Sequence, residues 1–406
     1  MGRALLEKDG KINFSHDYIR AAVEKRYLNS AEEKKKIHQN LARFYEKVSD
    51  EKIKVGLTQS KDHNWSDPSP RKLEEMPWQL MMAEDWNLLT NYLINAEFFP
   101  VLWEYNSYDL RNYWHAIEKG CKGKNVTASS VYSDIINHLD EYNTDFIIHL
   151  ARYFELRDSD DSSFPIYMYL KQKYESEGNT NSAEYASILG KIGWILSRRD
   201  GKAKAMELYK EQEKLCKYKR TEAFRNALQI SLNYQALILI DQKKNSEANK
   251  LLKRREIICE KLGNYASLQI AVSNRGLALF QMGKKEKAFD CFKKQEDICN
   301  KHGFLDGLQI SYGRQFLYYS DKSDYHKAMD YLLKKEEICR ILQIDFSLAT
   351  ALKSKGETYE KLNDLQAALD SYSEGLDVAK RSKNKEAETI CQAGIDRLLK
   401  EYSHIA

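Results

Sequence analysis

Seven cysteines and nine histidines are the side chains from which this chain could build a metal centre or a nucleophile. Four cysteines recur in register, in Glu213-Lys214-Leu215-Cys216, Glu256-Ile257-Ile258-Cys259, Glu296-Asp297-Ile298-Cys299 and Glu336-Glu337-Ile338-Cys339. Thiolate–metal ligation and disulfide pairing are the two chemistries such a pattern raises. Equivalent places in stacked helix hairpins lie about 10 Å apart, whereas a disulfide needs Cα atoms within about 7 Å. No histidine shares the grid, so these cysteines read as small buried hydrophobes. His16, His38, His63 and His115 form no HExxH motif, and His149, beside Leu150 and Ala151, reads as a structural histidine. Asp158, Asp160 and Asp161 lack the order of a calcium loop and read as a solvated loop before Pro165. No GxSxG elbow occurs. Gly120-Cys121-Lys122-Gly123-Lys124-Asn125 comes nearest to a phosphate-cradling GxxxxGK[ST] loop, but its glycine spacing and its missing hydroxyl residue are wrong. These residues support no catalytic, cofactor-binding or metal-ligating site, and no enzyme is expected.

The elements that hold these residues show in a second periodicity. Leu228-Gln229-Ile230-Ser231, Leu268-Gln269-Ile270-Ala271 and Leu308-Gln309-Ile310-Ser311 stand 40 positions apart, with Leu348-Ala349-Thr350-Ala351 on the same grid. Two small residues twelve positions apart accompany it: Gly193 and Ala205, Ala236 and Ala248, Gly276 and Ala288, Gly356 and Ala368. The fourth unit keeps Ala328 but carries Phe316 at the first small site. Small residues mark where the helices of a hairpin approach closely. Apolar residues flank them at helical spacing: Leu189, Leu232, Val272, Tyr312 and Leu352 before, and Tyr209, Leu252, Phe292, Leu332 and Tyr372 after the alanine. This is the tetratricopeptide pattern, a helix–turn–helix unit, with its period lengthened from 34 to about 40 residues. The expected fold is all-α: a tetratricopeptide-like α-solenoid of about five 40-residue hairpins, preceded by a helical N-terminal region.

Proline and tryptophan suggest the boundaries. All five prolines lie in the first 165 residues, and five of the six tryptophans lie between Trp65 and Trp114. Residues 1–60 read as helix-hairpin material, opened by the capping box Ser30-Ala31-Glu32-Glu33 and continued by Ile37, Leu41 and Phe44. Gln59 to Pro70 reads as a linker. Residues 61–178 read as an aromatic-rich helical bridge ending in a degenerate capping repeat, Phe146 to Leu156 and Pro165 to Tyr174, with Pro165 in a first turn. Residues 179–406 form the repeat array. Lys and Arg number 64 against 60 Asp and Glu, a balance that argues against nucleic acid. No apolar run is long enough for membrane insertion, no signal peptide is evident, and Asn125-Val126-Thr127 is an inert sequon in the expected cytoplasmic setting.

The residues also carry a resemblance. Lys253-Arg254-Arg255-Glu256-Ile257-Ile258-Cys259-Glu260-Lys261-Leu262-Gly263-Asn264, followed by Leu268-Gln269-Ile270, resembles the C-terminal tetratricopeptide arrays of signalling NTPases with a NACHT-type (STAND) core, the nephrocystin-3-like group. Phe14-Ser15-His16-Asp17-Tyr18-Ile19-Arg20-Ala21-Ala22-Val23, Arg26-Tyr27-Leu28, His38 and Leu41-Ala42-Arg43-Phe44 resemble the end of the winged-helix segment in those proteins. Met76-Pro77-Trp78-Gln79-Leu80 through Trp86 and Leu110-Arg111-Asn112-Tyr113-Trp114 resemble their bridge to the repeats. The resemblance implies a sensor or scaffold arm without its nucleotide-binding core: either part of a longer parent protein that carries an NTPase core, or a lineage that lost that core.

In such units the first helices line the concave face, so their non-core positions are the candidate contacts for a protein or peptide: Asn233, Tyr234, Asp241, Asn274, Arg275, Gln281, Arg314, Gln315 and Asp321. Amides, guanidinium groups and carboxylates suit peptide backbones and acidic side chains. Gln229, Gln269 and Gln309 recur in register and read as structural bonds between repeats. The expected function is non-enzymatic protein–protein interaction. The alternative is a free-standing adaptor resembling kinesin light chains, against which stands the lack of a heptad coiled coil ahead of the repeats.

Overall fold

The computed structural model describes residues 5–8, 11–14, 26, 30–46, 68–121, 123, 126–157, 159–199 and 201–405. They divide into two compact units, Met1–Gly178 and Asn179–Ala406. The first begins with strands β1 (Leu5–Lys8) and β2 (Lys11–Phe14), paired antiparallel with Leu5 opposite Phe14. This ribbon departs from the helix hairpin expected at the start of the chain; the winged-helix-like residues 15–25 and 27–29 lie outside the described residues. Helix α1 (Ala31–Glu46) opens on the expected capping box: the Glu33 amide donates to Ser30 Oγ at 3.0 Å, and the Ser30 amide donates to Glu33 at 3.2 Å. Its Ile37, Leu41 and Phe44 are exposed rather than buried.

Helix α2 (Pro68–Met82) starts inside the stretch read as a linker. Pro68 and Pro70 fall in its first turn, where an amide would have no partner anyway; residues 59–67 lie outside the described residues. After α3 (Trp86–Leu93), helix α4 (Phe98–Gly120) bends at Asn106, whose extended backbone (φ −160°) interrupts the helical run. The Asn106 side chain accepts from the amides of Tyr108 and Asp109, capping the half that follows. α5 (Ala128–Asn137), a 3₁₀ turn (Leu139–Glu141), α6 (Thr144–Leu156) and α7 (Asp160–Ser176) complete the unit. α7 begins at Asp160, so Asp160 and Asp161 open a helix and Pro165 stands beyond its first turn, a correction to the loop-then-helix reading. The aromatic residues build a core, as their density suggested. Phe99 meets Tyr132, Phe146 and Tyr153 edge-on at centroid distances of 6.0, 5.5 and 6.0 Å.

The second unit is a run of antiparallel hairpins: α8 (Ala183–Arg198) with α9 (Lys202–Cys216), α10 (Glu222–Asp241) with α11 (Asn245–Leu262), and α12 (Tyr265–Gln281) with α13 (Lys285–His302). α14 (Leu305–Asp321) with α15 (Tyr325–Ile341), α16 (Asp345–Lys361) with α17 (Leu365–Ser382), and α18 (Lys385–Ile405) follow. From Lys243 onward every turn has one left-handed residue, at Lys243, Gly263, Gly283, Gly303, Ser323, Gln343, Asn363 and Lys383. They fall twenty residues apart, so each 40-residue repeat is two equal helix-and-turn halves.

The small-residue grid has a steric cause. A Cβ added to Gly193, Gly276 or Gly356 would lie 2.9, 2.4 or 2.5 Å from the ring of Tyr209, Phe292 or Tyr372 on the partner helix. Where the first small site is Ala236, the facing residue is Leu252 in the same core cluster. The pairs are matched in volume: glycine with an aromatic ring, alanine with leucine. The fourth hairpin departs from this matching: it carries Phe316, half-buried, at the first small site, with a buried Leu332 at the large one.

Candidate partner-binding surface

The recurrent cysteines are free thiols, and Cys216, Cys259, Cys299 and Cys339 are buried in the second helices. Burial pushes the Cys216 and Cys299 thiols up to about 11, which suits packing rather than ligation. Among the described residues no group of three His, Cys, Asp or Glu stands close enough to hold a metal ion. His149 is buried, with Nδ1 2.7 Å from the Asp145 carbonyl and Nε2 2.8 Å from Glu104, a histidine engaged at both nitrogens. Gly120 packs too closely against the Trp86 indole to admit a Cβ, which gives it a structural reason to be glycine. Lys122, Lys124 and Asn125 lie outside the described residues. No described helix is long and apolar enough to cross a membrane.

A polar ladder joins hairpin to hairpin. Gln235 donates to Glu213 at 2.8 Å, Arg275 pairs with Glu256 at 2.6 Å, Gln315 donates to Glu296 at 2.6 Å, and Lys355 donates to Glu336 at 2.9 Å. Each bond runs from a first helix to the second helix of the hairpin before it. The glutamate of every Glu-x-x-Cys motif is thereby explained. Ser231 and Ser311 add hydroxyl bonds to the Tyr209 and Phe292 carbonyls at 2.6 and 2.8 Å, so the small residue after Leu-Gln-Ile also works at this joint. The glutamines of that signature act elsewhere. Gln229 accepts from Arg255 and Gln269 accepts from Gln295, both at 3.0 Å, and these bonds tie the two helices of one hairpin rather than successive repeats.

First helices of consecutive hairpins touch one another along one side of the unit, α8 with α10, α10 with α12 and α12 with α14. The residues on the open face of that side repeat: Ile230, Tyr234, Leu237 and Asp241, then Ile270, Asn274, Leu277 and Gln281, then Ile310, Arg314, Leu317 and Asp321. Six of the nine candidate residues stand in this stripe. Of the other three, each one position round the helix from the stripe, Arg275 and Gln315 turn into the joints and Asn233 turns towards the second helix of its own hairpin. Asn233 accepts from Arg255 at 2.8 Å, and Gln315 is fully buried. Within the stripe Tyr234 stacks on Tyr209, Asn274 donates to Asn233 at 3.2 Å, Asp241 accepts from Lys202 at 2.7 Å, and Asp321 pairs with Lys285. Gln281 is exposed and Arg314 half-buried, and neither has a hydrogen bond or ion pair among the described residues. Burial holds the Arg314 guanidinium below its ordinary range.

The apolar members of the stripe escaped the sequence reading. Ile230, Ile270 and Ile310 are 38%, 42% and 41% exposed, and Leu317 is 43% exposed. The available signal was their spacing, four before and three after the Arg314-type positions. Recurrence within Leu-Gln-Ile masked it by suggesting core.

No family model matches the chain. A TPR repeat-containing protein of Dictyostelium discoideum is 37% identical over 119 residues, which is 29% of this chain and 6% of that protein. Among solved structures, a Signal Transduction ATPase with Numerous Domains (STAND) protein with a tetratricopeptide repeat sensor, from Pyrococcus horikoshii, superposes with a TM-score of 0.56 at 14% identity. That match covers 97% of this chain and 53% of the other. A Rap protein complexed with Competence and Sporulation Factor gives a TM-score of 0.48 at 15% identity, over 88% of this chain and 99% of that one. The chain therefore spans a small part of the curated relative and about half of the STAND structure. Its fold is a tetratricopeptide-like α-solenoid.

Proposed function

We propose that this chain is a non-enzymatic protein-interaction module that takes a protein or peptide on the open face of its first helices. The carrying observation is the division of labour on those helices. Arg275 and Gln315 are engaged in joints and Asn233 within its own hairpin, while a separate stripe presents exposed isoleucines beside the unpaired Gln281 and Arg314. Apolar surface in register with polar anchors is what a docked segment requires. In the finer reading, the chain is the sensing arm of a STAND-type NTPase, and partner binding shifts a resting state through differential affinity for two conformations. The nephrocystin-3-like residues and the fold shared with a STAND protein's sensor support it. A free-standing adaptor resembling kinesin light chains is the alternative, and it needs no NTPase core in cis.

A photo-crosslinking amino acid placed at Gln281 tests the face, with Lys250 on α11 as the control. The expected result is adducts from Gln281 and none from Lys250. Equal labelling at both places, or none at either, removes the assignment.

A further inference from the structure

Arg314 is one of three cations gathered at the fourth and fifth hairpins, and the repeat grid shows how their charge came to be uncompensated. Arg255, Gln295 and Lys335 occupy one place in three successive second helices. Arg255 donates to Gln229 at 3.0 Å and to Asn233 at 2.8 Å. Gln295 donates to Gln269 at 3.0 Å and to the Gly307 carbonyl at 3.2 Å. Lys335 has neither a hydrogen bond nor an ion pair among the described residues, although Gln309 stands where Gln229 and Gln269 stand in theirs. The acceptor that Asn233 supplies in the second hairpin is Gly313 in the fourth. Lys335 reaches over that glycine, with Nζ 3.4 Å from where a Cβ would lie. The fourth hairpin thus carries a cation at this place without the side chain that satisfies Arg255 in the second.

Arg314 follows Gly313 directly, and Lys353 stands in the same column one hairpin on. Burial lowers the Lys335 ammonium from its ordinary value, and the charges of Arg314 and Lys353 push it the same way against the opposing influence of Cys339. Lys353 has an ion pair with Glu386 at 3.3 Å, whose side chain is 79% exposed, and it also acts on the Glu357 carboxyl one turn along its helix. Half-buried cations that repel one another, two of them without a partner, destabilise a fold unless an anion completes them. Ile310 and Leu317 are exposed on either side of Arg314 along α14. A free phosphate has no use for such apolar neighbours, whereas a peptide does.

We propose that Arg314, Lys335 and Lys353 form a carboxylate-binding site, which takes an Asp or Glu side chain of an acidic, apolar-containing peptide segment lying across Ile310 and Leu317. The site deepens the reading of the first-helix face as a protein-binding surface and rests on it.

The test is fluorescence anisotropy on the full chain, with a labelled peptide of four glutamate-glycine-leucine repeats. Its glutamine-glycine-leucine counterpart and inorganic phosphate serve as comparisons. The glutamate peptide is expected to bind at least about tenfold more tightly than the glutamine one, with an affinity that falls as salt rises. Arg314→Gln and Lys335→Gln should each weaken it by about tenfold or more, with a melting temperature unchanged or raised because no native partner is lost. Equal binding of the two peptides, unchanged binding by the variants, or a lowered melting temperature in Lys335→Gln would overturn the site. Full displacement of the peptide by equimolar phosphate would also overturn it, in favour of a small-anion site. Should the peptide fail while Gln281 still crosslinks a partner, the carboxylate site falls and the protein-binding face stands; loss of both removes the face.

Discussion

Glu256 and Glu336 occupy one place in the repeat, two hairpins apart, and their surroundings drive them in opposite directions. Burial raises the Glu256 carboxyl above the ordinary 4.5, and the opposing pull of Arg275 and Lys294 does not cancel it. Burial also pushes on Glu336, but hydrogen bonds from Lys355 and Arg340, at 2.9 and 2.7 Å, outweigh it and hold its carboxyl below 4.5. The stabilisation from Glu336 is therefore present above 4.5 and lost as pH falls through its lowered folded value. That from Glu256 is present below 4.5 and lost as pH rises through its raised folded value. Carboxyl carbon NMR should find their midpoints on opposite sides of 4.5, and coincident midpoints would refute the assignment. The thiols offer a second check at this scale. With Cys216, Cys299 and Cys391 pushed up to about 11, only roughly one in a thousand is thiolate at pH 8. Iodoacetamide should label them about a hundredfold more slowly in native protein than in urea, as followed by mass spectrometry.

A hairpin depends on volume matching across its two helices. The pairs Gly193–Tyr209, Gly276–Phe292 and Gly356–Tyr372 leave no room for a methyl group. Gly276→Ala should cost about 1–3 kcal/mol in urea denaturation through overpacking against Phe292, despite the better helix propensity of alanine. In a Phe292→Leu background, which copies Ala236 with Leu252, the same change should be neutral or stabilising. Additive costs would show that ring and methyl group do not compete. Much of this scale was legible in the chain, because a grid of small and large residues reports helix pairing directly. The Ser30 capping box was legible for the same local reason. The helix start at Pro68 was not, since two prolines signal a turn as readily as a first helical turn.

Across the whole molecule, contacts in the second unit run mainly between successive helices, so its stability should be a sum of hairpin and nearest-neighbour terms. Residues Asn179–Ala406 produced alone should give a helical circular dichroism spectrum and a cooperative thermal transition; a featureless melt would show that the unit needs the other to fold. The sequence by itself determined the hairpins, their 40-residue period, the burial of the repeated cysteines and the tetratricopeptide-like class, because helix pairing is written in spacings within a few turns. Tertiary structure alone decided which polar residues of a first helix stand on its open face and which hold the joints. One residue step turns a side chain about 100° round the helix, so Arg314 and Gln315 point in different directions. What meets each of them is set by how the next hairpin stacks. Gln315 found Glu296 there, and Arg314 found Lys335 and no acceptor.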